Sequence, residues 1–119
     1  MDRKRLDSYI NKTYEAKAEY LCLSQPTFAV YRHSNNNKWF AVIMKIPKSK
    51  LGFASEESVT VINLKCDPLL IGSLVCEKGI FKGYHMNKNH WITVLLDSSV
   101  DDDKIKWLIK ISFDLTNKK

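Results

Sequence analysis

At 119 residues, 45% hydrophobic and 27% charged, with a net charge of +6, the chain has the size and balance of one soluble domain with a single two-layer core. No run of about 18 apolar residues is present to span a bilayer, and the N-terminus, MDRKRLDSYI, has no apolar signal core. The expectation is therefore one domain over residues 1–119, cytoplasmic and monomeric. Three cysteines, Cys22, Cys66 and Cys76, are odd in number and form no C-x-x-C pair, which argues against a disulfide framework and a structural zinc site. They are expected to be buried, reduced thiols. An alternative is a reactive thiolate at Cys66, beside a helix N-terminus.

In chain order, residues 2–17 place Leu6, Tyr9, Ile10, Thr13 and Tyr14 on one face, the pattern of an amphipathic helix. Pro26 ends an irregular stretch. Residues 28–33 and 39–46 are then two strands around Ser34-Asn35-Asn36-Asn37, a tip whose asparagines tolerate left-handed backbone. Pro47 ends the second strand, and a polar connection over 48–58 returns the chain to a strand at 59–65, predicted as a third antiparallel neighbour. Asp67 is placed to cap a helix with Pro68 in its first turn, and Gly79 to stop it. That helix presents Leu69, Leu70, Leu74 and Val75. Strands at 81–85 and 90–96 flank the turn Met86-Asn87-Lys88-Asn89. Ser99, with Asp102 three residues on, approaches a capping box for a last helix whose Ile105, Leu108, Ile109 and Ser112 cover the sheet.

Charge is segregated along the chain. No acid occurs between Glu19 and Glu56, a span holding Arg32, Lys38, Lys45, Lys48 and Lys50. None occurs from Lys78 to Leu96, which holds Lys78, Lys82, Lys88, His85 and His90. Such segregation gives the strands and their turns a positive field suited to phosphate or another anion. The alternative is that a small basic protein simply carries lysine-rich loops.

No catalytic pattern emerges: there is no G-x-S-x-G motif, no Gly-rich phosphate loop and no marked Cys-His spacing. The expectation is a non-enzyme without a cofactor. His85 and His90 flank one turn as metal ligands can, but the tip supplies no third ligand, so no metal is expected. Nucleic-acid binding accounts for more of the residues, with Lys and Arg for phosphates, Asn for base edges and His, Tyr or Trp for stacking. Against that, Tyr84 and Trp91 also suit a core, and Asn87, Lys88 and Asn89 also suit a turn.

The runs V-I-N-L-K-C-D-P (61–68) and G-Y-H-M-N-K-N-H-W (83–91), followed by Leu96-Asp97-x-Ser99-Val100, closely resemble the MmcQ/YjbR family of small bacterial proteins. Residues 40–51 look like the form of that family found in low-GC Gram-positive bacteria. The resemblance implies a CyaY-like α/β fold, with an antiparallel sheet backed by helices and hairpins that have been compared with a double-wing DNA-binding motif. Two positions depart from the pattern: Asp101 where a proline is typical, and Cys22 where a tryptophan is expected.

The combined expectation is an α+β domain of order α-β-β-β-α-β-β-α, with the first and last helices on one face of a twisted antiparallel sheet. The leading function is a nucleic-acid (DNA) binding module with Arg32, Lys38, Lys65, His85, Asn87, Lys88 and His90 as its contact set. The alternative is a protein-interaction or small-anion-binding module with a site near Lys65-Cys66-Asp67 and the His85–His90 turn.

Overall fold

Asp2 starts the first helix, α1 (Arg3–Tyr14), by accepting the Arg5 amide at 2.8 Å, and Glu15 ends it in a left-handed conformation. This is seen in a computed structural model that describes residues 1–21, 24 and 27–117. The strands are β1 (Glu19–Tyr20), β2 (Ala29–Arg32), β3 (Trp39–Pro47), β4 (Ser58–Lys65), β5 (Ile80–Lys82) and β6 (Trp91–Leu95). They form one antiparallel sheet in the order β1-β2-β3-β4-β6-β5. The helices α2 (Pro68–Leu74) and α3 (Asp102–Thr116) complete the predicted α+β order. To it the structure adds the two-residue edge strand β1 and a single 3₁₀ turn over Lys48–Leu51.

The sheet divides the interior in two. On its first face, Leu6 and Ile10 of α1, Ile71 and Leu74 of α2, and Ile105, Leu108 and Ile109 of α3 pack against Tyr31, Ile43, Ile62, Leu64, Ile92 and Val94. Burying each such side chain contributes about 1.5–3 kcal/mol, which makes this layer the dominant source of stability. On the second face, Val30, Val42, Met44, Ile46, Val59, Val61 and Leu95 form a smaller cluster. No α-helix lies over it among the described residues; Phe28, Trp39, Leu51 of the 3₁₀ turn, Phe81, Tyr84 and Met86 cover it instead.

Three expectations are corrected. The Asp67 cap and Pro68 start hold, with the Leu69 amide 2.9 Å from Asp67 Oδ1, but α2 ends at Leu74 and Leu69 is 89% exposed. Gly79 instead serves a turn beyond the helix with φ +87, where a Cβ would lie 2.7 Å from Val100 Cγ2. Ser99 is not the cap of α3. That position is Asp101, without a side-chain cap bond, and the Ser99 amide, which a capping box would pair with Asp102, is bonded to Asp97 Oδ1 at 3.0 Å. The cysteines are not uniformly buried: Cys66 is, Cys76 is exposed, and Cys22 lies outside the described residues. Burial pushes the Cys66 thiol up, opposite to the direction a reactive thiolate needs.

Candidate nucleic-acid interface

Antiparallel pairing brings the two acid-free tips to one end of the sheet. Strand β2 ends there at Arg32, β3 begins there at Trp39, and β4 ends there at Lys65, register partner of Trp91 at the start of β6. Arg32 pairs with Trp39 across a bulge in which Phe40 is the extra residue on β3. The bulge resets the alternation so that Phe40 enters the helix-backed core while Trp39 packs on the second face. The guanidinium of Arg32 stands 5.8 Å from the Trp39 ring centre, and Lys65 Nζ stands 5.9 Å from that of Trp91. Four adjacent strands thus carry a row of alternating cations and tryptophans, Arg32, Trp39, Lys65 and Trp91.

The first tip is fastened to the end of α3. Thr116 Oγ1 donates to the Ser112 carbonyl at 2.7 Å and lies 2.7 Å from His33 Nε2. Asn35 Nδ2 donates to Asn117 Oδ1 at 3.0 Å, and Asn36 Nδ2 to the Thr116 carbonyl at 2.9 Å. His33 is buried against Phe40 and Phe113, and this burial lowers its pKa, opposed by a bond to the Phe113 backbone. One turn earlier, Ser112 Oγ accepts the Lys65 amide at 2.8 Å and donates to the Phe40 carbonyl, a side-chain bridge where the β3–β4 ladder opens. The end of α3 thus lies against the first hairpin.

The second tip lies across the second face of the sheet. Buried Asn63 of β4 donates to the Tyr84 carbonyl at 2.8 Å, and Thr93 of β6 donates to Asn63 Oδ1 while accepting the Tyr84 amide at 2.8 Å. Tyr84 and Met86 pack on the second-face cluster. His85, at φ +60, lines a hollow of about 370 Å³ with Met44, Lys45, Ile46, Pro47 and Ser58, well down β3 and β4 from Lys65.

The predicted contact residues thus occupy distinct settings. Lys38 and His90 are exposed at the tip end, and the His90 carbonyl accepts the Cys66 amide at 2.8 Å. Arg32 is paired with Glu19 at 2.8 Å on a partly exposed rim. Lys88 Nζ donates to the Gly83 carbonyl at 3.0 Å, and Asn87 Oδ1 accepts the Asn89 amide at 2.9 Å, so both also build the turn. Lys65 lies over Trp91, which is 9% exposed and so belongs to the core rather than to a stacking surface. His85 is separated from this group. Among the described residues, no three His, Cys, Asp or Glu side chains are grouped to hold a metal, and no helix is long and apolar enough to cross a membrane. Asn63 and Thr93, which hold the second tip, were not singled out by sequence, and Ser112 was placed only on the sheet-covering face of the last helix. The signal for Asn63 was a lone amide inside the apolar run V-I-N-L.

A family model described as YjbR matches residues 11–115. The chain is 33% identical over 116 residues to the uncharacterized protein YyaQ of Bacillus subtilis, covering 98% of each chain. It is 30% identical over 94 residues to the uncharacterized protein YjbR of Escherichia coli, covering 77% of each. A crystal structure of a Pseudomonas syringae protein, 44% identical, superposes with a TM-score of 0.96 over 98% of this chain and 100% of that one. A Deinococcus radiodurans protein, 22% identical, shares the fold with a TM-score of 0.71, covering 98% of this chain and 78% of that one. Spanning nearly the whole sheet and its helices, these matches establish that the chain belongs to the YjbR family.

Proposed function

We propose that this chain is a nucleic-acid-binding module that works through the tip end of its sheet, with Arg32, Lys38, Lys65, Lys88 and His90 on phosphates. The observation that carries the reading is the gathering of the two acid-free tips at that end, beside the row Arg32, Trp39, Lys65 and Trp91. Because both tips are tied down by internal hydrogen bonds, little ordering would be needed on binding. Asn35, Asn36 and Asn87 are already used inside the protein, so recognition rests on phosphates more than on base edges.

If about four to six phosphates are contacted, log affinity for duplex DNA falls with log salt at a slope of roughly −4 to −5. Trp39, half-buried under Arg32, supplies the fluorescence signal. Reversal of Lys38 and Lys88 to Glu is expected to weaken binding severely. Reversal of Lys45 and Lys50, which share the first acid-free segment but lie toward the other end of the sheet, is expected to do much less. Equal losses from both pairs would reduce the effect to general attraction by a basic protein.

A second reading has its own observation. His85 holds a positive φ at the wall of the second-face hollow, where Lys45, Thr27 and Ser58 also line the space. Backbone strain at a hollow of this kind is a feature of ligand sites. A small anion there would leave DNA unbound in the titration and protect His85 from modification by diethylpyrocarbonate.

A further inference from the structure

We propose that the groove between α1 and α3, on the helix-covered face of the molecule, binds an extended phosphate chain through its phosphates alone. The two helices run side by side in the same direction: Arg5 meets Asp102 at 3.1 Å, Lys106 lies 5.1 Å from the centre of the Tyr9 ring, and the Tyr14 and Phe113 rings are 4.5 Å apart. Between them is a hollow of about 360 Å³ lined by Lys4, Arg5, Ser8, Tyr9, Lys12 and Lys106, with Met1 at its end. Lys4, Ser8 and Lys12 follow one another at four-residue spacing, so they form a single stripe along α1, about 12 Å from end to end. A lone orthophosphate cannot reach both ends of such a stripe, whereas a chain of linked phosphates can.

The charges favour an anion. Among the described residues, neither Lys4 nor Lys12 has an ion-pair or hydrogen-bond partner, and Lys106 is engaged only by the Tyr9 ring. The neighbouring carboxylates have partners of their own, Asp7 accepting the Tyr31 hydroxyl at 2.6 Å. Asp102 is held by Arg5 and the Met1 amine, which keep it below the usual carboxylate range, and Asp2 accepts the Arg5 amide. A further observation points the same way: the first turn of α1 carries Arg3, Lys4 and Arg5 and no acid, although the positive end of a helix disfavours cations. Arg3 and Arg5 have internal partners, in the Thr27 carbonyl and Asp102, and Lys4 has none. An unpartnered cation at that position works against the helix and for an external anion.

The lining also specifies what is not read. Lys106 lies over one face of Tyr9, whose ring also meets Tyr14 in a T-shaped contact at 6.2 Å, so the lining's one aromatic ring is already engaged, and Ser8 is the only neutral hydrogen-bonding side chain of the lining besides Tyr9. The site is built for oxyanions in a row. It uses residues separate from the tip end, and the two readings stand or fall independently.

Calorimetric titration of the full chain at low salt with sodium tripolyphosphate, ATP and orthophosphate tests this. Tripolyphosphate and ATP are expected to bind alike, each at least about tenfold more tightly than orthophosphate. Joint reversal of Lys4 and Lys12 to Glu is expected to weaken tripolyphosphate by about tenfold or more while leaving the helical circular dichroism intact, since both side chains are exposed and the gain from Glu in the first turn of α1 offsets the loss from Glu in its last. Reversal of Lys38 and Lys88 is expected to leave it unchanged. The proposal is overturned if wild-type protein fails to bind tripolyphosphate, if the Lys4 and Lys12 reversal has no effect, or if the tip reversal has the same effect. Preference for ATP by tenfold or more would overturn the claim that phosphates alone are read.

Discussion

The two hairpin tips are written in nearly the same residues, yet they are held by opposite means. Each is acid-free and offers asparagines, a lysine, histidine and tryptophan, in 33–39 and in 85–91. In the first, the tip's own side chains reach out: His33, Asn35 and Asn36 bond to Thr116 and Asn117 of α3. In the second, the tip contributes mainly backbone, and the side chains that hold it, Asn63 and Thr93, belong to the sheet beneath. Similar composition therefore serves as a fastener in one place and as an object fastened in the other. What decides between them is the neighbour that the topology supplies, a helix end in the first case and a sheet face in the second.

The contrast can be broken from either side. The largest effect is expected where the helix under the first tip loses its own footing: Ile109→Ala, at a fully buried site, should cost about 2–5 kcal/mol. A loss under about 0.5 kcal/mol in denaturant unfolding, the range of an inert surface change, would remove α3 as the base of the structure. Next comes Asn63→Ala, which leaves the Tyr84 carbonyl and the Thr93 hydroxyl without their buried partner and should cost about 1–3 kcal/mol. Hydrogen exchange sharpens the point, because amides 84–90 should lose protection while amides 33–38 keep theirs. Loss at both tips would mean that they are one unit and not two.

The smallest effect concerns acidity. Burial lowers the pKa of His33 below its ordinary 6.5, so the unfolded chain binds the proton first as pH falls. The stability that neutral His33 contributes is thus full above about pH 6.5 and is lost on acidification below it. Thermal unfolding from pH 7.5 to 5 should show this decline, and His33→Gln should flatten it. The decline set by Asp97 and Asp102, whose pKa values are also depressed, is confined below their ordinary 3.8 and cannot be mistaken for it. For Asp97, burial pushes upward and the bonds from Ser99 outweigh it.

Much of the frame was legible in the residues, because it rests on local rules. The Leu6 and Ile10 stripe, the β-branched runs and Asp67-Pro68 each carry their signal within a few positions. Strand β1 was not legible, since two residues have no periodicity and Glu19–Tyr20 becomes a strand only by pairing with Val30 and Ala29. The cap of α3 was misplaced because two chemically suitable residues stood two positions apart, and Asp97 claimed the Ser99 amide. For the candidate site, residue types and charge segregation singled out residues that the fold brings mostly to one end of the sheet, but His85 was grouped with His90 through sequence proximity alone. Its separation depends on Asn63 drawing the chain across the sheet, a contact between positions 21 residues apart.

The extra residue at Phe40 has a consequence for how this chain can change length. Along a strand, side chains alternate between faces, so the bulge acts as a one-step phase shift between the body of β3 and its tip. Deleting Lys38 would restore regular pairing and at the same time exchange the environments of the two rings, turning Trp39 toward the helix-backed interior and Phe40 toward the second face, whereas deleting Phe40 itself would leave Trp39 in place and empty its own site in the core. A change of two residues would preserve the alternation. Along this edge, length variation among homologous chains is therefore expected in even steps, and an odd step should be accompanied by an exchange of aromatic and polar residues at the flanking positions.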